Sequence, residues 1–228
     1  MPPILAADRH PWPRDARRAI RLQARLRPRL RIRGSPSAVR LVAGADIAYD
    51  PKRDLLLAAI LVFRLPGLDL VASSQVVRPI RFPYVPGLLS FREAPALLEA
   101  WSRLALRPDL LICDGQGIAH PRGLGLASHL GLLMRVPTIG CAKSRLVGEH
   151  DAVGPRRGDR TPLILDGRVV GAVVRTRSNV RPLYVSPGHL IGIPAATRWV
   201  LALCRGYRLP EPTRLADRLV GRALRGAG

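Results

Sequence analysis

Acid is scarce in this chain. Its 228 residues carry 16 Asp and Glu against 37 Lys and Arg, a formal net charge of +21 at pH 7. A partner drawn by that field is a polyanion, with nucleic acid first among the candidates. Lysine is scarcer still: apart from Lys52 and Lys143 the positive charge is arginine, a pattern that codon bias also produces. No apolar run reaches the ~18 residues of a spanning helix, and no long amphipathic basic stretch stands alone, which argues against a membrane partner. Cysteine is limited to Cys113, Cys141 and Cys204, odd in number and set in apolar runs. That suggests no disulfide or zinc framework and suits reduced core thiols, so a soluble protein of the cytoplasm is expected. Near the N-terminus Asp8, Pro11 and Pro13 stand where a signal peptide needs a continuous apolar stretch.

What is present reads as one domain, residues 14–228, behind a tail of unassigned role, residues 1–13. Residues 14–33 alternate Arg with Ile20, Leu22 and Leu26 at helical spacing and stop at Gly34-Ser35-Pro36. Three strand-like runs follow, RLVAGADIAYD, LLLAAILVFR and DLVASSQVVRP, and their short connectors favour antiparallel neighbours. A helix is predicted over APALLEAWSRLAL, with Leu97, Leu98, Trp101, Leu104 and Leu106 on roughly one face and Pro95 in its first turn. The rhythm then becomes strand, helix, strand (DLLICDG, LGLASHLGLLMRV, PTIGCAKS), which implies parallel strands. RVVGAVVRT and PLYVSPGH add two more strands before the helical PAATRWVLALCRG and TRLADRLVGRAL. The fold class expected is α/β, a mixed sheet of three antiparallel strands followed by parallel ones, flanked by helices.

With acids so few, each one's position is informative. Most lie in turns, beside prolines or in polar loops, as capping and surface acids do, and Glu99 falls on a solvent-facing helix position. Asp46 instead interrupts the apolar run of the first strand, and Asp114 closes LLIC and opens Gly115-Gln116-Gly117. Either can be a loop cap or the partner of an arginine. If strands one and four are neighbours, however, the two carboxylates come side by side at one edge of the sheet, where they repel unless a cation lies between them. Mg²⁺ suits carboxylate oxygens, water and phosphate oxygens. Asp217, in the last helix, can approach the same point, and a lone Glu93 follows the stiff Pro83-Tyr84-Val85-Pro86 segment.

The runs GADIAYD, PYVPGLLSFREAPALLEAW, DGQGIAHPRGLGLASHLG, PTIGCAKS, SPGH and PEPTRLAD occur in this order over roughly residues 15–220. Together they resemble endonuclease V, the repair nuclease specific for deoxyinosine. The resemblance implies a ribonuclease H-like fold, Mg²⁺ with Mn²⁺ as a substitute, and metal ligands Asp46, Glu93 and Asp114, with Asp217 as a fourth. Lys143 of AKS matches a family lysine near the scissile phosphate, and with Asp46, Glu93 and Asp114 makes up the expected catalytic set. Pro83-Tyr84-Val85-Pro86 matches the family's wedge, whose ring fills the gap left by a flipped base. Gly87, Leu89 and Gly115 match the positions that read hypoxanthine, and His120 is expected near the substrate. Family enzymes nick the second phosphodiester bond 3′ to the lesion.

His129 reads as a structural histidine, His189 as either a phosphate contact or a loop anchor, and Gly123 and Gly125 as the start of a helix. The implied partner is DNA containing deoxyinosine, bound by a monomer. Inosine-containing RNA or a structured DNA junction stands as an alternative substrate. A non-catalytic basic binding module is the reading from a different class.

Overall fold

The computed structural model describes residues 10–225; residues 1–9 of the expected tail lie outside the described part. Helix α1 (Ala16–Leu26) starts where the Asp15 carboxylate accepts from Arg18 N at 2.9 Å, an N-cap, and runs into a short 3-10 turn at Pro28. Its buried residues are Ala19, Leu22, Gln23 and Leu26, so the arginines between them face solvent.

Strands β1 (Leu41–Asp50), β2 (Leu55–Arg64) and β3 (Asp69–Pro79) form the expected antiparallel meander. Helix α2 (Leu89–Arg103) begins five residues earlier than the periodicity predicts, so Pro95 stands inside it and not in its first turn. The extra turn is held by packing: Phe91 is buried, and Ser90 Oγ meets His129 Nδ1 at 3.1 Å. Those contacts outweigh the one backbone hydrogen bond that Pro95 removes.

Strand β4 (Leu110–Cys113), helix α3 (Leu126–Met134) and strand β5 (Thr138–Ala142) form the predicted crossover, with β1, β4 and β5 parallel. Three further strands follow: β6 (Arg160–Leu165), β7 (Arg168–Val174) and β8 (Leu183–His189). The sheet order is β3-β2-β1-β4-β5-β8-β7-β6, and β8 lies antiparallel to β5. Strand β6 has no counterpart in the sequence reading because Pro162 lacks a ladder donor, and it occupies the outer position where a proline is tolerated.

Helices α4 (Ile193–Leu203) and α5 (Glu211–Arg225) complete the chain. One core packs α2 and α3 on a face of the sheet through Ala94, Leu97, Trp101 and Leu130. The other packs α4 and α5 on the opposite face through Ala196, Val200, Ala216 and Val220. Cys113, Cys141 and Cys204 are buried free thiols. Among the described residues no helix is long and apolar enough to cross a membrane.

Candidate active site

Parallel pairing of β1 with β4 sets Ala45 opposite Cys113, so the next residues of the two strands, Asp46 and Asp114, are neighbours. They lie at the third and fourth strands of the eight, not at an outer strand, where β4 ends and β1 continues. Asp217 reaches them from α5. That helix lies flush on β1 because Gly44 has no side chain; a Cβ there would fall 2.1 Å from the Pro212 carbonyl carbon. One carboxylate oxygen each from Asp46, Asp114 and Asp217 then lie within 4.8 Å of one another. Glu93 is outside that trio, but it lines a cavity of about 150 Å³ together with Asp46 and Asp114.

These acids sit in an expensive arrangement. Burial, with the neighbouring charges of Asp114 and Asp217, pushes Asp46 up to about 8. Burial also raises Glu93, to about 7, although Tyr49 Oη donates to its Oε1 at 2.7 Å. Lys143 Nζ bridges the exposed side, 2.7 Å from Asp114 Oδ2 and 3.0 Å from Asp217 Oδ1. Burial opposes its charge, but those two carboxylates outweigh it and hold the ammonium above the usual lysine range. Only oxygen donors converge here, the set a hard divalent cation takes, and the raised Asp46 marks a charge that such a cation would neutralise. The residues therefore fit a divalent metal.

A second cavity, about 370 Å³, opens beside the acids. Asp114 and Lys143 form part of its wall, and Tyr84, Val85, Pro86, Gly87, Leu89, Gly115 and His120 are among the other residues that line it. Pro83 is exposed and does not line it. Tyr84 is 72% exposed, so its ring does not pack on the core. His120 is buried; its Nε2 donates to Gly87 O at 2.9 Å while Nδ1 accepts from Arg122 N at 3.1 Å. Burial and the Arg122 charge push it down to about 4, so it is a neutral donor at physiological pH.

His129 is fully buried between Ser90 and His10, its Nε2 lying 2.8 Å from His10 Nε2. Nδ1 of His189 accepts from Arg31 N at 3.2 Å, which ties β8 to the segment after α1. Residues around the two cavities that sequence reasoning passed over are Tyr49, Arg92, Gln116 and Arg122. The Arg92 guanidinium lies 4.8 Å above the Tyr49 ring, and Gln116 Nε2 donates to Ser144 O at 3.2 Å, tying two loops of the larger cavity. In sequence they are ordinary polar residues; only their convergence marks them.

The family model for endonuclease V matches residues 23–218. An endonuclease V of Gloeobacter violaceus is 50% identical over 210 residues, 91% of this chain and 85% of the relative. The crystal structure of an endonuclease V from Streptomyces avermitilis superposes with a TM-score of 0.90 at 44% identity, covering 95% of this chain and 96% of the other. That of the Ciona intestinalis endonuclease V, bound to a 24mer DNA containing an inosine followed by a ribo-adenosine, superposes at 0.78 with 26% identity, covering 91% and 97%. Nearly all of the domain is thus matched in sequence and in fold, and the chain belongs to the endonuclease V family of nucleases.

Proposed function

We propose that this protein is a Mg²⁺-dependent endodeoxyribonuclease that recognises deoxyinosine by extruding it from the duplex and nicks the strand at the second phosphodiester bond 3′ to the lesion, acting as a monomer. The observation that carries this reading is the shared wall: Asp114 and Lys143 belong both to the acidic cluster and to the larger cavity beneath Tyr84. A base held in that cavity has its own strand running past the carboxylates.

Asp46, Asp114 and Asp217 hold the ion in this reading, with Glu93 beside them in the smaller cavity. Mn²⁺ is the expected substitute. When bound, the ion withdraws charge from the scissile phosphate, favours deprotonation of an attacking water and steadies the leaving 3′ oxygen. Lys143, on the open side of the carboxylates, meets negative charge developing on the phosphate. The exposed Tyr84 ring, stiffened by Pro83 and Pro86, fills the gap left in the stack, and so little loop entropy is lost on insertion. Gly87, Leu89 and Gly115 read the base through backbone groups, and His120 holds the Gly87 carbonyl.

Inosine in RNA is a second reading, favoured by the ribo-adenosine beside the inosine in the DNA bound to the Ciona enzyme. Matched oligonucleotides carrying one deoxyinosine, one riboinosine, or neither, incubated with Mg²⁺ or with chelator, test both readings. The expected result is one Mg²⁺-dependent nick in the deoxyinosine strand. Equal cleavage of all three substrates, or cleavage in chelator, would overturn the proposal, and preferential cleavage at riboinosine would install the second reading in its place.

A further inference from the structure

Gln23 is the only buried polar side chain of α1, 0% exposed among Ala19, Leu22 and Leu26. A glutamine is costly there unless both ends of its amide are satisfied. Both ends are satisfied by the loops around the larger cavity. Its Nε2 donates to Gly87 O at 3.0 Å and to Leu124 O at 3.2 Å, and its Oε1 accepts from Arg122 Nε at 2.5 Å. Arg122 Nη2 in turn donates to Gly87 O at 2.6 Å, and His120 Nε2 donates to the same oxygen at 2.9 Å.

One carbonyl, that of Gly87, is thus gripped by three donors from two segments far apart in the chain. Gly87 is in the left-handed region at φ +75°, a conformation that glycine adopts without penalty but has no intrinsic reason to keep. Gly87 lies in the turn that Leu88 N closes onto Val85 O at 2.9 Å, and the exposed Tyr84 immediately precedes that turn. Without the three donors the 87–88 peptide keeps only the bond from Leu88 N to Val85 O within its own turn, and the orientation of the backbone that Gly87 presents to the cavity is less firmly fixed.

We infer that Gln23 is a positioning residue for lesion recognition: through Gly87 and Arg122 it holds the peptide that borders the cavity in the orientation that accepts the base, so that this buried side chain sets inosine selectivity without itself touching the nucleic acid. The inference rests on the proposed reading of the cavity as the base pocket. It assigns α1 a role beyond packing, and it separates recognition from chemistry, because Gln23 makes no contact with Asp46, Asp114, Asp217 or Lys143.

Gln23→Glu is the decisive variant, since it keeps the size and the acceptor for Arg122 but removes the donor to Gly87 and Leu124. Gln23→Ala removes all three bonds. The measurements are affinities for an inosine duplex and for a matched undamaged duplex in chelator, the single-turnover cleavage rate at saturating inosine DNA, and hydrogen exchange of the peptide covering residues 83–89. Both variants are expected to bind the inosine duplex at least ~10-fold more weakly, because both lose the buried hydrogen bond to Gly87 O. Affinity for undamaged duplex and the saturating cleavage rate should each stay within about threefold of wild type, the resolution at which one hydrogen bond is discernible. Exchange should quicken in residues 83–89 and not in β1 or β4.

An unchanged inosine-to-undamaged affinity ratio with normal exchange in that loop would overturn the inference. So would failure of both variants to fold, which would make Gln23 a residue of the core alone. If wild-type protein itself shows no preference for the inosine duplex, the reading of the cavity fails and takes this inference with it. A wild-type preference that survives in both variants sinks only the role of Gln23.

Discussion

The ammonium of Lys143 lies 2.7 Å from Oδ2 of Asp114, one of three carboxylates whose oxygens converge within 4.8 Å. A side-chain cation therefore already neutralises part of the charge that a divalent ion would neutralise, and the two compete for the same oxygens. Replacing Lys143 by Met is expected to strengthen divalent-ion binding, read as a larger rise in melting temperature at a fixed Mg²⁺ concentration. The same variant should cleave at least ~10-fold more slowly in single-turnover assays at saturating metal, a loss of about 1.4 kcal/mol of transition-state stabilisation. Lys143→Arg keeps the charge on a broader, planar group and should show a rate loss of similar size with inosine binding intact. Wild-type kinetics in the arginine variant would mean that charge alone suffices.

Asp46 links the site to stability. Its folded-state value, about 8, lies above the ordinary carboxyl range, chiefly through burial. The native state therefore keeps a proton that the unfolded chain releases from about pH 4 upward, and the protein loses stability as pH rises through that window, by at most about 1.4 kcal/mol per pH unit from this group. Asn is neutral throughout. In chelator, Asp46→Asn should melt closest to wild type near pH 4 and above it by a growing margin up to about pH 8, while strand cleavage is abolished. Equal melting temperatures at high pH would show that Asp46 carries no charge penalty.

Tyr84 predicts a change in selectivity. Because the ring is exposed and bracketed by prolines, Tyr84→Ala should leave the melting temperature within about 1 °C of wild type, as surface substitutions do, and narrow the ratio of inosine to control cleavage. An unaltered ratio would remove the ring from recognition.

Binding to undamaged duplex should weaken steeply with salt. Nine arginines lie between Arg14 and Arg33 alone, and phosphate contacts by such residues release counterions, so log affinity should fall linearly with log salt. An affinity insensitive to salt would leave the arginine content as composition without function.

Asp46 and Asp114 were legible because a carboxylate within or at the end of an apolar strand is rare, and the strand-helix-strand rhythm made their strands neighbours. Glu93 and Tyr84 were legible through their motif. The early start of α2 was not, because Pro95 is a local signal and the packing of Phe91 and Ser90 is a tertiary one. Strand β6 was hidden by Pro162 for a related reason: its outer position relieves the proline of a ladder bond, and position in a sheet is not a property of a six-residue window.

Gln23 marks the limit most clearly. In sequence it is one polar residue in an arginine-rich helix; in the fold its amide meets Gly87 and Arg122, 64 and 99 positions away. The sequence by itself determined the charge of the molecule, the strand meander and crossover, and the acids at β1 and β4, because burial period and residue chemistry are local. Tertiary structure alone decided how closely Asp217 and Lys143 approach those acids, that the larger cavity shares their wall, and that Gln23 of α1 grips the Gly87 loop. Those are distances between segments remote in the chain, set by how helices pack against a sheet.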